Sequence, residues 1–313
     1  MEREDDNQET AALLHLRGEE SNISPMAATA DEPERGERGR FCCLGSINVD
    51  VALRLDRLPE RHEKLVAREA RVGGGGSAAN TAVWLSRQGL SVLMRGWVGD
   101  DPLGMFALSD LRANGVDTRG VKLLPVASPI AVCLSPPDDK RIIVSPIVEA
   151  PWTPYDAGDL YEGVDWLHTT ICEAAFLRNA RNSGCSRKAV LSLELDGRYD
   201  PAFAGLADYL FTNSDELARR LETDDPARFI MEKHGADHAT WFITQGVNGA
   251  TIIGGGKVET VTAIPIEPVD RTGGGDAFNA GVIAALSSGA DAQSAAMAGL
   301  LLAAQALGRL GAH

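Results

Sequence analysis

Several features that mark membrane, secreted or nucleic-acid-binding proteins are missing from this sequence of 313 residues. No apolar run approaches the roughly 18 residues that a membrane-spanning helix requires. The N-terminal stretch MEREDDNQET is acidic and polar, whereas a secretory signal begins with basic and then apolar residues. A net charge of −14 leaves no excess of basic residues to neutralise nucleic-acid phosphates. We therefore expect a cytoplasmic protein with neither a membrane nor a nucleic acid as its partner.

Cysteine is scarce as well. The five cysteines include no CxxC pair, which argues against a disulfide framework and against a zinc site. We expect reduced thiols in or near the core, and a reactive cysteine is the alternative.

The first 40 residues differ in composition from the rest of the chain. They are low in aromatics and hold 11 acidic residues against five arginines, which accounts for −6 of the net charge. Such a segment buries too little apolar surface to offset the entropy of ordering it. The composition therefore predicts a disordered acidic tail over 1–40 and a folded domain over 41–313.

From residue 41 onwards, short apolar runs alternate with amphipathic segments. FCCLGSI (41–47) and SVLMRGWVG (91–99) are typical of buried strands, and SAANTAVWLSRQG (77–89) has helical spacing and stops at glycine. This alternation predicts an α/β three-layer sandwich with a central, mostly parallel sheet. Period-two patterns over about 51–58 and 121–134 predict a small separate sheet that forms a lid.

The stretch DRTGGGDAFNAG (270–281) places three glycines before an acidic residue and a helix. Backbone N–H groups at a helix start form an anion site, but Asp276 would repel an anion that stayed there. A helix start beside a carboxylate suits phosphoryl transfer. In that reaction, N–H groups stabilise the migrating group and a carboxylate accepts the proton of the attacking hydroxyl. The alternative is a glycine-rich turn with Asp276 as a helix cap.

A second glycine cluster, VGGGGSAANTA (72–82), also opens a helix. It matches neither the dinucleotide pattern GxGxxG nor the P-loop pattern GxxxxGK[ST]. It offers close backbone approach and the amide of Asn80, which together suit a polyhydroxylated ligand. Asn48 and Asp50 follow the first strand, at the end where open α/β sheets bind ligands. An Asx turn is the alternative for this pair.

The segment TNSDELARRL (212–221) carries Asn213 and Glu216 three residues apart. One interpretation is a capping box with Asn213 as the helix cap. The other places both side chains near a metal ion and a phosphate. The spacing alone is compatible with both.

Together, these motifs resemble those of the ribokinase-like (PfkB) carbohydrate kinases over roughly residues 41–312. The motifs, in chain order, are GSINVD, GG-x-x-x-N (Gly75, Gly76, Asn80), WVGDDPLG, N-x-x-E, ITQG (243–246) and D-x-T-G-G-G-D. The resemblance implies a ribokinase-like fold and an enzyme that phosphorylates a hydroxymethyl group of a small sugar, such as ribose or fructose, at the expense of ATP.

The resemblance also implies roles for individual residues. It makes Asp276 the catalytic base that activates the sugar hydroxyl. The implied anion hole consists of Gly273, Gly274 and Gly275. The residues implied to hold the sugar are Asn48, Asp50, Gly75, Gly76 and Asn80, with Glu173 as a further contact.

Nucleotide and cation contacts are implied in the same way. The residues implied to contact ATP are Asn213, Thr244 and Gly246. Glu216 matches the position that is associated with Mg²⁺ through water. Asp270 and Thr272 fall where potassium-activated members of the family place their K⁺ ligands. The implied cofactors are therefore ATP and Mg²⁺, with K⁺ as a further candidate.

Three departures from the family pattern affect these expectations. Gly274 stands where alanine is usual, which is expected to loosen the anion hole slightly. Ser77 stands where ribokinases carry lysine, so ribose is not assured as the substrate. The given sequence ends at residues 311–313, where relatives usually continue, and we expect reduced nucleotide affinity or stability.

Other functions remain open at this point. A nucleoside kinase would need aromatic stacking, but aromatics form 5% of the chain. A kinase for a 2-keto-3-deoxy sugar acid would need a basic partner for the carboxylate, for which Arg54, Arg57 and Arg71 are the candidates. A catalytically silent sugar-binding paralogue is the non-enzymatic alternative. Because unpaired lid strands would expose apolar faces, a homodimer through the lid is also expected.

Overall fold

The computed structural model describes residues 40–137, 140–145, 163–185, 189–195 and 197–313. The predicted tail over 1–40 lies outside these residues except for Arg40, which the sequence assigned to the tail and which begins the first strand. In the described part of the chain, no helix combines the length and the apolar character needed to cross a bilayer.

The described residues form strands and helices in alternation. The strands are β1 (Arg40–Leu44), β2 (Asn48–Arg54), β3 (Glu69–Gly75), β4 (Ser91–Gly99), β5 (Asp117–Leu124), β6 (Ile130–Ser135), β7 (Arg141–Val144), β8 (Trp166–Thr169), β9 (Val190–Glu194), β10 (Tyr209–Asn213), β11 (Thr240–Thr244), β12 (Ala250–Gly254) and β13 (Lys257–Val261). The helices are α1 (Ser77–Arg87), α2 (Pro102–Ala113), α3 (Ala174–Cys185), α4 (Phe203–Leu206), α5 (Ser214–Leu221), α6 (Pro226–His234), α7 (Gly274–Ser287) and α8 (Ala292–Leu307).

A nine-stranded sheet forms the centre of the molecule, in the order β13-β12-β11-β10-β9-β8-β1-β4-β5. All neighbouring pairs from β5 to β11 are parallel, and the pairs β11–β12 and β12–β13 at one edge are antiparallel, so β12 alone of these nine strands is reversed. The predicted mostly parallel sheet is confirmed. Its central strands are buried, as the apolar runs in the sequence indicate.

Helices cover both faces of this sheet. Alternate residues of each strand point to opposite faces, so Cys43 joins one core cluster and Cys42 the other. Residues of α1, α2, α7 and α8 complete the first cluster, and residues of α3 to α6 complete the second. The predicted three-layer sandwich is therefore confirmed.

The smaller sheet has four strands in the order β3-β2-β6-β7. The extent of this sheet differs from the prediction, because the sequence analysis assigned all of residues 121–134 to the lid. Residues up to Leu124 continue β5 beside β4 in the large sheet, and β6 pairs with β2 only from Ile130 onwards. An edge strand of a large sheet is half exposed, so it has the same period-two pattern as a lid strand.

The WVGDDPLG motif fixes the connection between the two sheets. The Asp101 carboxylate caps α2 by accepting the N–H of Gly104 at 2.8 Å. It also accepts the N–H of Ser128 at 2.8 Å and the Ser128 hydroxyl at 2.7 Å. Gly104 packs so closely that a Cβ there would lie 2.1 Å from the carbonyl oxygen of Gly99. The motif thus holds the turn through which the chain passes from β5 to β6.

Candidate active site

The strand order of the large sheet reverses beside β1. From β1 the chain continues to β4 and β5 on one side, whereas β8 to β11 lie on the other side. Ligands of open α/β sheets bind at the carboxyl ends of the strands at such a point. The carboxyl end of β1 leads to Asn48 and Asp50 of β2, and that of β8 leads to Glu173, which is exposed just before α3.

Asp50 is a buried carboxylate beside this point, with 7% of its surface exposed. Its Oδ1 atom has no hydrogen-bond partner within the described residues. It lies over Gly75, where a Cβ atom would come within 2.1 Å of the carboxyl carbon. Burial, reinforced by the negative charge of Asp276, raises the pKa of Asp50 to about 7. A buried polar atom without a partner indicates a position where a ligand hydroxyl can bind.

Asp276 lies in the first turn of α7 and is 8% exposed. Its Oδ2 atom accepts a 2.7 Å hydrogen bond from Nδ2 of Asn80, and the Thr81 hydroxyl donates to its main-chain oxygen at 3.4 Å. The helix starts α1 and α7 are therefore in direct contact. The fold brings together the two glycine motifs that the sequence singled out.

The glycines before Asp276 have different surroundings. Gly273, not Asp276, is the N-cap of α7, with φ of 75°, and a Cβ there would lie 2.4 Å from the main-chain oxygen of Ala312. The alternative of Asp276 as the helix cap is thus not realised. Around Gly275, a Cβ would meet no atom within 4 Å, so the backbone is open to a ligand.

At Gly274, no empty space remains where the usual alanine would place its methyl group. A Cβ built there would lie 2.8 Å from Cδ2 of Leu307. The Leu307 side chain therefore fills the space that the alanine methyl group would need. This packing opposes the loosening of the anion hole that we expected from the sequence.

Residues 310–313 line the same region, and sequence reasoning did not identify them as part of the site. His313 is 3% exposed; its Nδ1 atom lies 2.9 Å from Oδ1 of Asn80, and its Nε2 atom lies 2.7 Å from Oδ2 of Asp110. Arg71 donates to the main-chain oxygens of Leu310 and His313, both at 2.7 Å. No local sequence signal connects Asp110 with His313, since they are 203 residues apart.

Asp270 holds the loop that precedes the glycines. Its Oδ1 atom accepts from the Ser135 hydroxyl at 2.9 Å and from both the N–H and the hydroxyl of Thr272, at 3.0 and 2.9 Å. Its Oδ2 atom accepts from the Gly311 N–H at 3.0 Å. Burial alone would raise the pKa of Asp270, but the hydrogen bonds from these donors outweigh it and lower the pKa.

The residues expected at the nucleotide lie at the carboxyl ends of β10 and β11. Asn213 and Thr244 are register partners on these strands. Asn213 is the N-cap of α5 and accepts the N–H groups of Asp215 at 2.9 Å and Glu216 at 3.3 Å. Gly246 begins a short 3₁₀ turn with φ of 56° and open space where a Cβ would be.

Comparison with known proteins decides the family. The model of the pfkB family of carbohydrate kinases matches residues 39–145 and 157–313. The chain belongs to the PfkB family of carbohydrate kinases. This confirms the resemblance that the motifs carry, and it identifies the protein as an enzyme, a carbohydrate kinase.

Individual known proteins are similar to this chain in sequence or in fold. The chain is 32% identical over 277 residues to an ATP-dependent ribose-1-phosphate kinase of Halopiger xanaduensis, a match that covers 82% of this chain and 88% of that protein. It is 30% identical over 264 residues to the ribokinase of Bacillus subtilis, again covering 82% and 88%. The structure of Arabidopsis thaliana ribokinase complexed with ribose and ATP shares the fold, with a TM-score of 0.71 and 20% identity over 88% of this chain and 94% of that one.

Proposed function

We propose that this PfkB enzyme transfers the γ-phosphoryl group of ATP to a hydroxymethyl group of a small sugar, with Asp276 as the catalytic base. The observation that supports this most directly is the position of Asp276. It is a buried carboxylate in the first turn of α7, next to open backbone at Gly275, and held by the amide of Asn80.

In the proposed reaction, the sugar hydroxyl donates a hydrogen bond to Asp276. As its oxygen attacks the γ-phosphorus, the bond to the β,γ-bridging oxygen breaks and the hydroxyl proton passes to the carboxylate. The N–H groups at the start of α7 lie where they can stabilise charge on the migrating phosphoryl group. A carboxylate is a weak base, so positioning has to supply most of the rate.

Asp50 is proposed to bind the sugar. Its unpartnered Oδ1 atom can accept a hydrogen bond from a sugar hydroxyl, and Asn48 lies two residues before it on β2. Gly75 leaves space for Asp50 itself, and Gly76 lets the chain pack against the main-chain oxygen of Ser46, which would lie 2.5 Å from a Cβ atom. Glu173, on the other side of the strand-order reversal, is a candidate for a further contact.

The nucleotide is proposed to lie at Asn213, Thr244 and Gly246, with its phosphates directed to α7. No group of three or more His, Cys, Asp or Glu side chains within the described ranges is arranged to hold a metal ion. This suits Mg²⁺, which usually keeps several waters and binds substrate phosphates with one or two carboxylates. Glu216, in the first turn of α5, would hold Mg²⁺ through water, and the ion would neutralise charge on the phosphates.

Asp270 and Thr272 fit a potassium ion less well. A carboxylate has about four lone-pair positions, and Asp270 already accepts four hydrogen bonds, from Ser135, Thr272 and Gly311. The arrangement supports a role for Asp270 in holding the loop. Activation by K⁺ is therefore tested by running the assay described below with and without this ion.

A homodimer through the smaller sheet is proposed as well. Ile142, Ile143 and Val144 are exposed on β7, which is one of the two outer strands of that sheet. An exposed apolar edge strand favours pairing with a second copy. Sedimentation analysis should show a dimer that Ile143→Lys dissociates, and a wild-type monomer at high concentration would contradict this proposal.

The function itself is tested by ADP release from Mg·ATP against a panel of acceptors. The panel contains ribose, ribose 1-phosphate, fructose, 2-keto-3-deoxygluconate, adenosine and inosine, each with and without K⁺. Turnover on ribose or fructose is expected. Turnover only on a nucleoside or on the sugar acid would move the enzyme to that substrate class within the family.

A silent panel would have a different meaning. If no acceptor is turned over, thermal melting with each compound distinguishes the remaining explanations. Stabilisation by a sugar but not by ATP would support a sugar-binding protein without kinase activity and would overturn the proposal.

A further inference from the structure

We propose that His313 is a positioning residue for the phosphoryl transfer, whose ring lies between Asp110 and Asn80 and thereby fixes the Asn80 amide that orients Asp276. This inference rests on the proposed function, because it matters for turnover only if Asp276 acts as the base. The contacts that carry it form an unbroken chain from Asp110 through His313 and Asn80 to Asp276, with distances of 2.7, 2.9 and 2.7 Å.

The direction of each hydrogen bond follows from the chemistry of the groups. An ionised carboxylate only accepts, so the NH₂ group of Asn80 faces Asp276 and its carbonyl oxygen faces His313. Nδ1 of His313 must then carry a proton in order to donate to that oxygen. A flipped Asn80 amide would place two acceptors, its oxygen and the carboxylate of Asp276, against each other.

The other ring nitrogen meets a second carboxylate. Nε2 of His313 lies 2.7 Å from Oδ2 of Asp110, and this hydrogen bond lowers the pKa of Asp110 against the opposing effect of burial. The ring of His313 is thus within hydrogen-bond distance of a partner at both nitrogens, Asp110 on one side and Asn80 on the other.

The charges around this ring come from several elements. Asp110 belongs to α2, and Arg71 of β3 and Arg87 of α1 also lower its pKa. Arg71 donates to the main-chain oxygen of His313 at 2.7 Å as well, and Asp276 of α7 is connected to the ring through Asn80. The carboxylate that the ring faces directly is therefore that of Asp110.

The main chain of residues 310–313 keeps the ring in this place. Trp84 donates from Nε1 to the main-chain oxygen of Ala312 at 3.1 Å, and Arg71 donates to that of His313 at 2.7 Å. The Gly311 N–H donates to Asp270 at 3.0 Å. Three parts of the fold thus hold the segment, so His313 provides a fixed donor to Asn80.

The first experiment compares three substitutions of His313. In asparagine, Nδ2 can take the place of Nδ1 and still donate to Asn80. In glutamine, Nε2 replaces the ring atom that faces Asp110, and phenylalanine keeps the ring without any donor. We expect His313→Phe and His313→Gln to lower kcat by about 10- to 100-fold, with a smaller change in KM, and His313→Asn to cause an intermediate loss.

The matched control is His62→Asn, because His62 is exposed and has a left-handed φ of 66° that asparagine tolerates. Wild-type kcat in His313→Phe would overturn the proposal, and so would equal losses in all three variants. A double-mutant cycle adds a second criterion. In an Asn80→Ala background, His313→Phe should lower kcat no further, whereas a purely structural role would add its full effect again.

A spectroscopic measurement tests the inference without any turnover. In protein labelled with ¹⁵N-histidine, His313 is assigned by the signals that disappear in His313→Asn. Nδ1 of His313 should carry a proton, and its signal should shift in Asn80→Ala. An Nδ1 that carries no proton would overturn the proposal, even in an enzyme that is fully active. If the acceptor panel is silent but Nδ1 carries this proton, the proposed function fails and the hydrogen-bond geometry stands.

Discussion

Asn80 donates a 2.7 Å hydrogen bond to the carboxylate of Asp276, although the two residues are 196 positions apart in the chain. Each belongs to a glycine motif that opens a helix, and the fold joins these two helix starts. The result is a buried carboxylate held beside open backbone N–H groups, where a hydroxyl and a phosphoryl group can meet. The proposed chemistry depends on this one juxtaposition.

Asp50 should make the stability of the protein depend on pH. Its pKa in the folded protein is about 7, against an ordinary value of 3.8. The folded state therefore binds the proton more tightly than the unfolded state, so the free energy of unfolding falls as pH rises from about 4 to about 7 and then levels off. Asp50→Asn should remove this loss. The free energy of unfolding at pH 8 should then rise by at most about 2–4 kcal/mol.

Urea unfolding at pH 4.5 and pH 8 checks this prediction, with the exposed Asp224→Asn as control. The gain from Asp50→Asn should be larger at pH 8 than at pH 4.5. Equal gains at both values would show that Asp50 titrates normally. The same variant should bind sugar more weakly, because Oδ1 is then no longer a carboxylate oxygen.

Gly274→Ala should have opposite effects on stability in two backgrounds. In the wild type, the new methyl group meets Cδ2 of Leu307, the movable end of a half-buried side chain, so the overpacking should cost about 1 kcal/mol, the low end for such changes. In a Leu307→Ala background that space is open, so Gly274→Ala should stabilise α7 by about 0.5–1 kcal/mol. Chemical unfolding of the four proteins in this cycle measures both effects. Additive effects would show that Leu307 does not control the position.

Arg71→Met should loosen residues 310–313. The substitution removes two hydrogen bonds from a charged donor to main-chain oxygens, which predicts a loss of about 1–3 kcal/mol in the free energy of unfolding. It should also speed exchange of the Gly311 amide hydrogen. Arg68→Met, which removes an exposed ion pair with Asp56, is the matched control and should change stability little. Unchanged Gly311 exchange in Arg71→Met would contradict the anchoring role.

Much of this architecture could be predicted because its signals are local. Alternating buried runs and amphipathic helices indicate the three-layer sandwich, and each glycine motif indicates the start of a helix. Residues 121–134 were assigned to one sheet because an edge strand and a lid strand have the same half-exposed pattern. Only the pairing of β5 with β4 and of β6 with β2 separates them.

The surroundings of the site were harder to predict. Asp110 and His313 have no motif of their own, and their roles arise from contacts between distant segments. The surroundings of Gly274 could not be predicted for the same reason, since Leu307 lies on another helix. Sequence spacing can identify the residues that do chemistry, but the residues that orient them depend on the folded packing.

The most direct test of the account is phosphoryl transfer by Asp276→Asn, measured as ADP release with the acceptor that the wild type uses. The substitution keeps the size of the side chain and removes the base. The account predicts that kcat falls by about 10²- to 10⁴-fold, with melting temperature and ATP binding close to wild type and with Asp224→Asn fully active. An Asp276→Asn enzyme that retains wild-type turnover would contradict the central claim.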